Sequence, residues 1–363
     1  MKLPAVKILI LFVMLLGLPL AGVFCSGGPL LHYLEFPPIT RYVQHPGFSV
    51  WGFAALVLFV LACTLPFLKQ AFMSRGQTAG KKSCGYPFPW WGWAGLGAAA
   101  AAWALAWTRF DWFGMFQLHT FTPLWLSYIV IINALTVKRT GTCMMLGRPR
   151  YFLILFPASA VFWWFFEYLN RFVQNWYYVE VHRFSPAEYV LFASLSFCTV
   201  LPAVLGTREY LRTFSFFKTA FKDYAKISTA RPKILGAAVL ILSGAGLAGI
   251  GIFPGVLFPL LWVSPLLILV SLQALFGEEH LFSPVTRGDW SGIITASLAG
   301  LVCGFFWELW NYYSLAKWVY AVPYVHVLQV FEMPIAGFAG YLPFGLECAA
   351  VGWFVEKSLR GIK

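Results

Sequence analysis

Charge is scarce in this chain. Asp, Glu, Lys and Arg make up 11% of its 363 residues, against roughly a quarter in ordinary globular proteins. Paired cysteines are missing too: Cys25, Cys63, Cys84, Cys143, Cys198, Cys303 and Cys348 are scattered, with no CxxC and no His at ligand spacing. That excludes a zinc site or a disulfide framework and leaves cysteines that pack as small hydrophobes. There is no Walker loop, no dinucleotide fingerprint, no GxSxG and no paired aspartate-rich motif of the prenyl-transferase kind. The six histidines fall in loops or at helix ends, which argues against a haem held by two of them. The chain reads as cofactor-free and metal-free.

What is abundant is apolar. Hydrophobic residues make up 60% of the chain, and the mean hydropathy is +0.73. A single soluble core cannot bury that much apolar surface. The expected fold is an all-α integral membrane protein. Segments long enough to cross about 30 Å of hydrocarbon fall near 8–24, 49–68, 90–108, 116–137, 151–172, 186–206, 234–253, 255–276, 292–314 and 331–354, about ten transmembrane helices. The first follows Lys2 and Lys7 but has no small-x-small site after it, so it reads as an uncleaved helix.

The formal charge of +12 does not point to nucleic acid, because the cations follow topology. Lys2, Lys7, Lys69, Arg75, Lys81, Lys82, Lys138, Arg139, Arg148 and Arg150 fall on one side. Arg208 through Lys233, Arg287, Lys357, Arg360 and Lys363 join them. The other side holds only Arg41, Arg109, Arg171, Arg183 and Lys317. The positive-inside rule makes the first side cytoplasmic, with both termini on it, in the inner (plasma) membrane. The basic loop from Thr207 to Pro232 is either an amphipathic helix on anionic lipid or a solvated linker.

The second half repeats the segment before it. Phe165-Phe166-Glu167-Tyr168-Leu169-Asn170 recurs as Phe306-Trp307-Glu308-Leu309-Trp310-Asn311, and Trp176-Tyr177-Tyr178 recurs as Trp318-Val319-Tyr320. Leu201-Pro202 answers Leu342-Pro343, and Pro123–Leu135 aligns with Pro265–Leu275. The expected organisation is two N-terminal helices in 1–85, a four-helix repeat with its basic loop in 86–232, and a second four-helix repeat in 233–363. Four helices per unit make the repeats parallel, related by an axis along the membrane normal.

An ionisable side chain within hydrocarbon costs several kcal/mol by most scales, so it faces the protein and marks function by default. Glu167, Glu308 and Glu332 are the candidate catalytic carboxyls. Asn170 and Asn311, each on its Glu's helix face, and the aromatics Trp176, Tyr178, Trp318 and Tyr320 are the candidate substrate-binding residues. The same residues also fit a plainer reading, with Glu–Asn pairs fixing helix register and the aromatics forming an interfacial belt. Arg171, four residues after Glu167, is a candidate partner that would neutralise it.

The order of acid, then Trp-x-aromatic, then Pro with a nearby acid resembles the membrane-embedded lycopene cyclase domain family. Trp307-Glu308 matches that family's Trp-Asp, and the nine residues from Glu167 to Trp176 match its spacing. The family's Leu-Pro-x-Glu-Glu is not reproduced: Pro334 is followed by Ile335 and Ala336, with Glu332 before it, and Pro343, which has Glu347 after it, comes too late. The motifs are also similar to those of bacterial membrane proteins with Phe-Glu-x-x-Asn and Asn-Trp-Tyr-Tyr sequences. The resemblance implies cofactor-free acid–base cyclisation or isomerisation of an isoprenoid or other lipid, with membrane lipids as surroundings and partners. A transporter or a structural membrane protein is the alternative.

Overall fold

The computed structural model describes residues 5–38, 40–78 and 85–360. Lys2, Lys81, Lys82, Lys363 and Cys84, used above, lie outside them. The described chain is helical apart from two short two-stranded ribbons. Its long elements are α1 (Ala5–Cys25), α2 (Val50–Met73), α3 (Trp90–Trp107), α4 (Phe121–Thr140) and α5 (Pro149–Val173). Then come strand β1 (Trp176–Val179), α6 (Pro186–Phe197), α7 (Val200–Arg212), α8 (Pro232–Gly249), α9 (Ser264–Leu275) and α10 (Ser291–Tyr312). Strands β2 (Lys317–Tyr320), β3 (Gln329–Val330) and β4 (Met333–Pro334) precede α11 (Tyr341–Arg360).

Among the described residues, eight helices are long and apolar enough to cross a membrane, α6 and α7 counting as one span. A ninth is reached if the pair Pro254–Trp262 and Ser264–Leu275, bent by 53°, is one span. Pro259 and Pro265 flank that break, and each removes a backbone donor that a continuous helix would use. The sequence reading of one unbroken helix over 255–276 is corrected accordingly. The remaining apolar segment is α3, whose five Trp and three Gly dilute its hydropathy.

Helix ends follow local chemistry. Ser185 and Glu188 form a reciprocal capping box at the start of α6. Gly141, at φ 79°, supplies the left-handed turn that stops α4. Between Cys143 and α5, Met144–Gly147 makes a short helix whose first N–H is held by Glu209. In the basic loop, Ser215–Phe221 is helical.

The core forms where α4, α5, α7, α10 and α11 pack together. The two halves use the same pairings: α3 lies on α4 as α8 lies on α9, and α5 lies against α6 and α7 as α10 lies against α11. Across the halves, α7 packs on α10 and α11 on α5. Close approach of α10 and α11 depends on glycine, since a Cβ at Gly304 would overlap the Tyr341 ring. α2 differs from the rest because none of its residues is buried. Its ends are held by the Ser49 N–H to the Tyr324 carbonyl and the Gln70 amide to the Ala220 carbonyl, and Phe67 joins a ring cluster with Phe221, Tyr224 and Trp290.

The last segment departs from the sequence reading. A helix was expected from residue 331, but residues 329–334 form a β3–β4 hairpin, 335–340 a 3₁₀ turn, and the α-helix begins at Tyr341. Glu332 therefore sits in the hairpin turn rather than on α11. Phe331 has φ 59°, a backbone conformation suited to a turn and foreign to a helix start.

Candidate functional site

Strands β1 and β2 each follow the helix that bears a glutamate, and they pair antiparallel: Trp176 with Tyr320, Tyr177 with Val319, and Tyr178 with Trp318. The register is symmetric about the Tyr177–Val319 pair. Trp176 and Tyr178 of one half thus face the equivalent Tyr320 and Trp318 of the other, in crossed order. Alternation along a strand puts Trp176 with Tyr178, and Trp318 with Tyr320, on one side of each strand.

Two asparagines place these strands. The Asn170 side chain accepts from the N–H of Asn175 (2.8 Å) and donates to the carbonyl of Trp176 (2.7 Å). Asn311 accepts from the Trp318 N–H (2.9 Å) and donates to the Trp318 carbonyl (2.7 Å), as an adjacent strand would. Both amides are committed to backbone. Their part in the site is to position the Trp that follows.

The carboxyls lie behind the aromatics. Glu167 and Glu308 are both fully buried. Glu167 Oε1 accepts from Trp163 Nε1 (2.9 Å), Trp176 Nε1 (3.1 Å) and the Tyr178 hydroxyl (2.6 Å). Glu308 Oε1 accepts from the Tyr320 hydroxyl (2.7 Å) and the Tyr341 hydroxyl (2.5 Å), and Trp318 Nε1 donates to Tyr320 (2.8 Å). In each carboxyl one oxygen takes every hydrogen bond, and the other, Oε2, is enclosed with no partner. No salt bridge reaches either group among the described residues. An isolated carboxylate without a cation is expensive to bury, whereas a neutral acid is tolerable.

Arg171 does not neutralise Glu167. Its guanidinium turns to the N-terminal segment, donating to the carbonyls of His32 and Glu35 and pairing with the Glu35 carboxylate. Glu332, the third candidate acid, pairs with Lys317 at 2.5 Å and makes no hydrogen bond to Glu308. It is a charged neighbour of the second carboxyl, not part of its hydrogen-bond set.

A cavity of about 900 Å³ runs along this ensemble, at the upper end of the range of roughly 300–1,000 Å³ typical of ligand sites. Trp163, Trp176 and Tyr178 from the first half line it, and so do Trp307, Trp318, Tyr320 and Tyr341 from the second. Trp262, beside the broken span, adds another ring wall. Trp163 and Trp307 approach to 6.4 Å between centroids, and Trp307 stacks on Tyr341 at 5.9 Å. The outer wall is α2, which contributes Leu56, Phe59, Val60, Cys63, Thr64 and Phe67. Lys317 is the one charged lining residue, already held by Glu332. The two carboxyls thus stand behind one apolar chamber, each linked to it by aromatic side chains that touch both.

Trp163, Trp262 and Tyr341 were not among the residues singled out from the sequence. Trp163 could have been found, since it lies four residues before Glu167 and so on the same helix face. Tyr341 could not, because the equivalent position in the first half is Val200 beside Leu201-Pro202. Glu347, on α11, is buried with both oxygens unpartnered among the described residues and makes no hydrogen bond to this set. No protein-family model, curated protein or solved structure matches this chain.

Proposed function

We propose that this is a multi-pass inner-membrane protein, with both termini cytoplasmic, that acts on an uncharged isoprenoid or similar lipid chain by acid–base isomerisation or cyclisation. One observation carries this reading: two buried carboxyls, one from each half, stand behind a single apolar cavity and hydrogen-bond to the aromatic side chains that line it, and each keeps one oxygen free of hydrogen bonds. The cationic ends of the helices supply the orientation, and the resemblance to the lycopene cyclase domain supplies the reaction class.

The chemistry is balanced without an external reagent. The Tyr320 or Tyr341 hydroxyl, which lines the cavity, gives its proton to one carbon of a double bond and takes the proton of neutral Glu308 in its place, the hydrogen bond between them reversing and Glu308 becoming the carboxylate. A C–H bond forms and the other carbon becomes cationic. The faces of Trp307, Trp318 and Trp163 stabilise that cation, by about 0.5–2 kcal/mol per ring. Attack by a second double bond closes a ring and moves the charge, and loss of a neighbouring proton to a carboxylate restores an alkene. Substrate and product have the same composition. Asn170 and Asn311 position the aromatics, and α2, held mainly at its ends, is the wall through which a chain from the bilayer reaches the cavity.

The test is expression of wild type and Glu308→Gln in a host that makes lycopene and other isoprenoids, followed by mass spectrometry of the apolar lipids. A product isobaric with its precursor and missing from the mutant supports the reading. Identical profiles from two folded proteins remove it.

A second reading rests on a different feature. The broken span at Val263 lies beside Glu347, and discontinuous helices with buried acids are a feature of transporters. Proton-dependent solute flux in vesicles, abolished by Glu347→Gln, would favour that alternative.

A further inference from the structure

At the cation-rich end of the bundle several arginines have no carboxylate partner among the described residues, and Arg208 is one that is partly withdrawn from solvent. All 14 acidic residues of the chain are among the described ones, so the accounting is complete for carboxylate side chains. Glu209 and Glu356 are held by Arg148, Glu278 by Lys7 and Lys357, Glu35 by Arg171, Glu180 by Arg183, and Glu332 by Lys317. Arg208 on α7 has no carboxylate within 4 Å among the described residues. Its Nε–H is enclosed and has no acceptor. Among the described residues its one hydrogen bond is a long one, 3.5 Å from Nη2 to the carbonyl of Gly292.

The surroundings worsen the imbalance. Arg212 lies one turn further along α7, so like charges share a face. Gly292 is in the first turn of α10, a 22-residue helix whose amino end carries partial positive charge. Asp289, just before α10, accepts from the Ser291 N–H and hydroxyl, so it offsets that helix end and not the arginine. The Tyr151 hydroxyl, which also lies near Arg208, donates to the Gly352 carbonyl. An arginine cannot relieve this by losing its proton. With Asp289 spent on the amino end of α10, a partly buried guanidinium without a carboxylate, beside a second guanidinium, is left to attract an anion from outside the chain.

We propose that Arg208, with Arg212, binds a phosphate group, carried by a phospholipid of that leaflet or free in solution. Phosphate oxygens fit the Nη–H groups of the guanidinium fork, which favours a planar, two-point contact. The site is separate from the aromatic cavity and does not depend on the chemistry proposed there.

The experiment uses the full chain, purified in a non-ionic detergent and stripped of lipid. Dioleoyl phosphatidylglycerol is titrated and scored by native mass spectrometry, and inorganic phosphate is titrated separately and scored by thermal melting. Wild type is compared with Arg208→Gln and with Arg212→Gln, the latter at an exposed position that does not challenge folding. The expected result is one tightly retained phosphatidylglycerol, bound about ten- to a hundredfold more weakly by Arg208→Gln and several-fold more weakly by Arg212→Gln, as expected for lost charge-assisted bonds. Stabilisation by inorganic phosphate alone, lost in the same variants, identifies the free ion as the ligand and keeps the site. If neither probe binds saturably, the proposal is overturned. Variants that bind both probes as wild type does overturn it as well, and Arg212→Gln decides the matter if Arg208→Gln does not fold.

Discussion

Replacing Glu308 by Gln separates chemistry from architecture. Glu308 Oε1 accepts from two phenols, at 2.7 and 2.5 Å, while Oε2 accepts from nothing. A glutamine keeps the carbonyl acceptor for both phenols and puts an amide where Oε2 was, already an unpartnered position. The stability change is therefore within about 1 kcal/mol, one unpaired group exchanged for another. Glu308→Leu instead strands both phenol hydroxyls, at about 1–3 kcal/mol each, or roughly 2–6 kcal/mol together. Loss of a general acid lowers the rate by about 10²–10⁴-fold. Thermal melting in detergent reads the first quantity, and isomer formed per unit of folded protein reads the second. The reasoning fails if Glu308→Gln destabilises as much as Glu308→Leu, or if it keeps the wild-type rate.

Other outcomes follow from the same geometry. Asn311→Leu frees both main-chain groups of Trp318, so melting falls by about 1–3 kcal/mol and hydrogen exchange accelerates at Trp318 and its neighbours, while an unchanged exchange pattern would show that the amide does not hold the strand. Gly304→Ala drives the Tyr341 ring off Glu308 at a cost of about 1–3 kcal/mol, and product should fall with it; wild-type melting would mean the helices part without strain. A Cβ built on Gly52 lies 3.4 Å from Tyr324 Cβ, near disulfide spacing. Oxidised Gly52→Cys/Tyr324→Cys protein should therefore load hydrocarbon more slowly than reduced protein, and equal rates would remove α2 as the moving wall. Burial pushes the Glu278 carboxyl up, but Lys7 and Lys357 outweigh that and hold it below its ordinary value of 4.5. Its stabilisation is thus complete above about pH 4.5 and is lost as pH falls through the depressed value. Glu278→Gln should remove that acid-limb loss from the melting profile, and an unchanged profile would contradict the ion triad.

The sequence carried the helical architecture because hydrocarbon-length apolar runs leave little choice of structure. All ten of its apolar segments contain helix, and Glu167, Glu308, Trp176, Tyr178, Trp318 and Tyr320 lie within one hydrogen-bonded ensemble. The errors were in the connections. Nothing local distinguishes Glu332 in a hairpin turn from Glu332 at a helix start, because the hairpin depends on positive φ at Phe331 and on packing against the β2 region. The partner of Arg171 was unreadable for a similar reason, since Glu35 lies 136 residues away. The antiparallel β1–β2 pairing was also hidden, because four residues of Trp, Tyr and Val after a helix resemble an interfacial belt as much as a strand. The role of the asparagines changed with that pairing, from touching substrate to fixing backbone.

The most direct test of the central claim is proton transfer from solvent to substrate carbon. Purified wild type in detergent is given a linear polyene hydrocarbon in D₂O, and the product is analysed by mass spectrometry. Protonation by an exchangeable carboxyl predicts a cyclised or isomerised product one mass unit above its precursor for each reacted end, with none formed by Glu308→Gln. A product without deuterium, or equal labelling by the Gln variant, would contradict acid catalysis from Glu308.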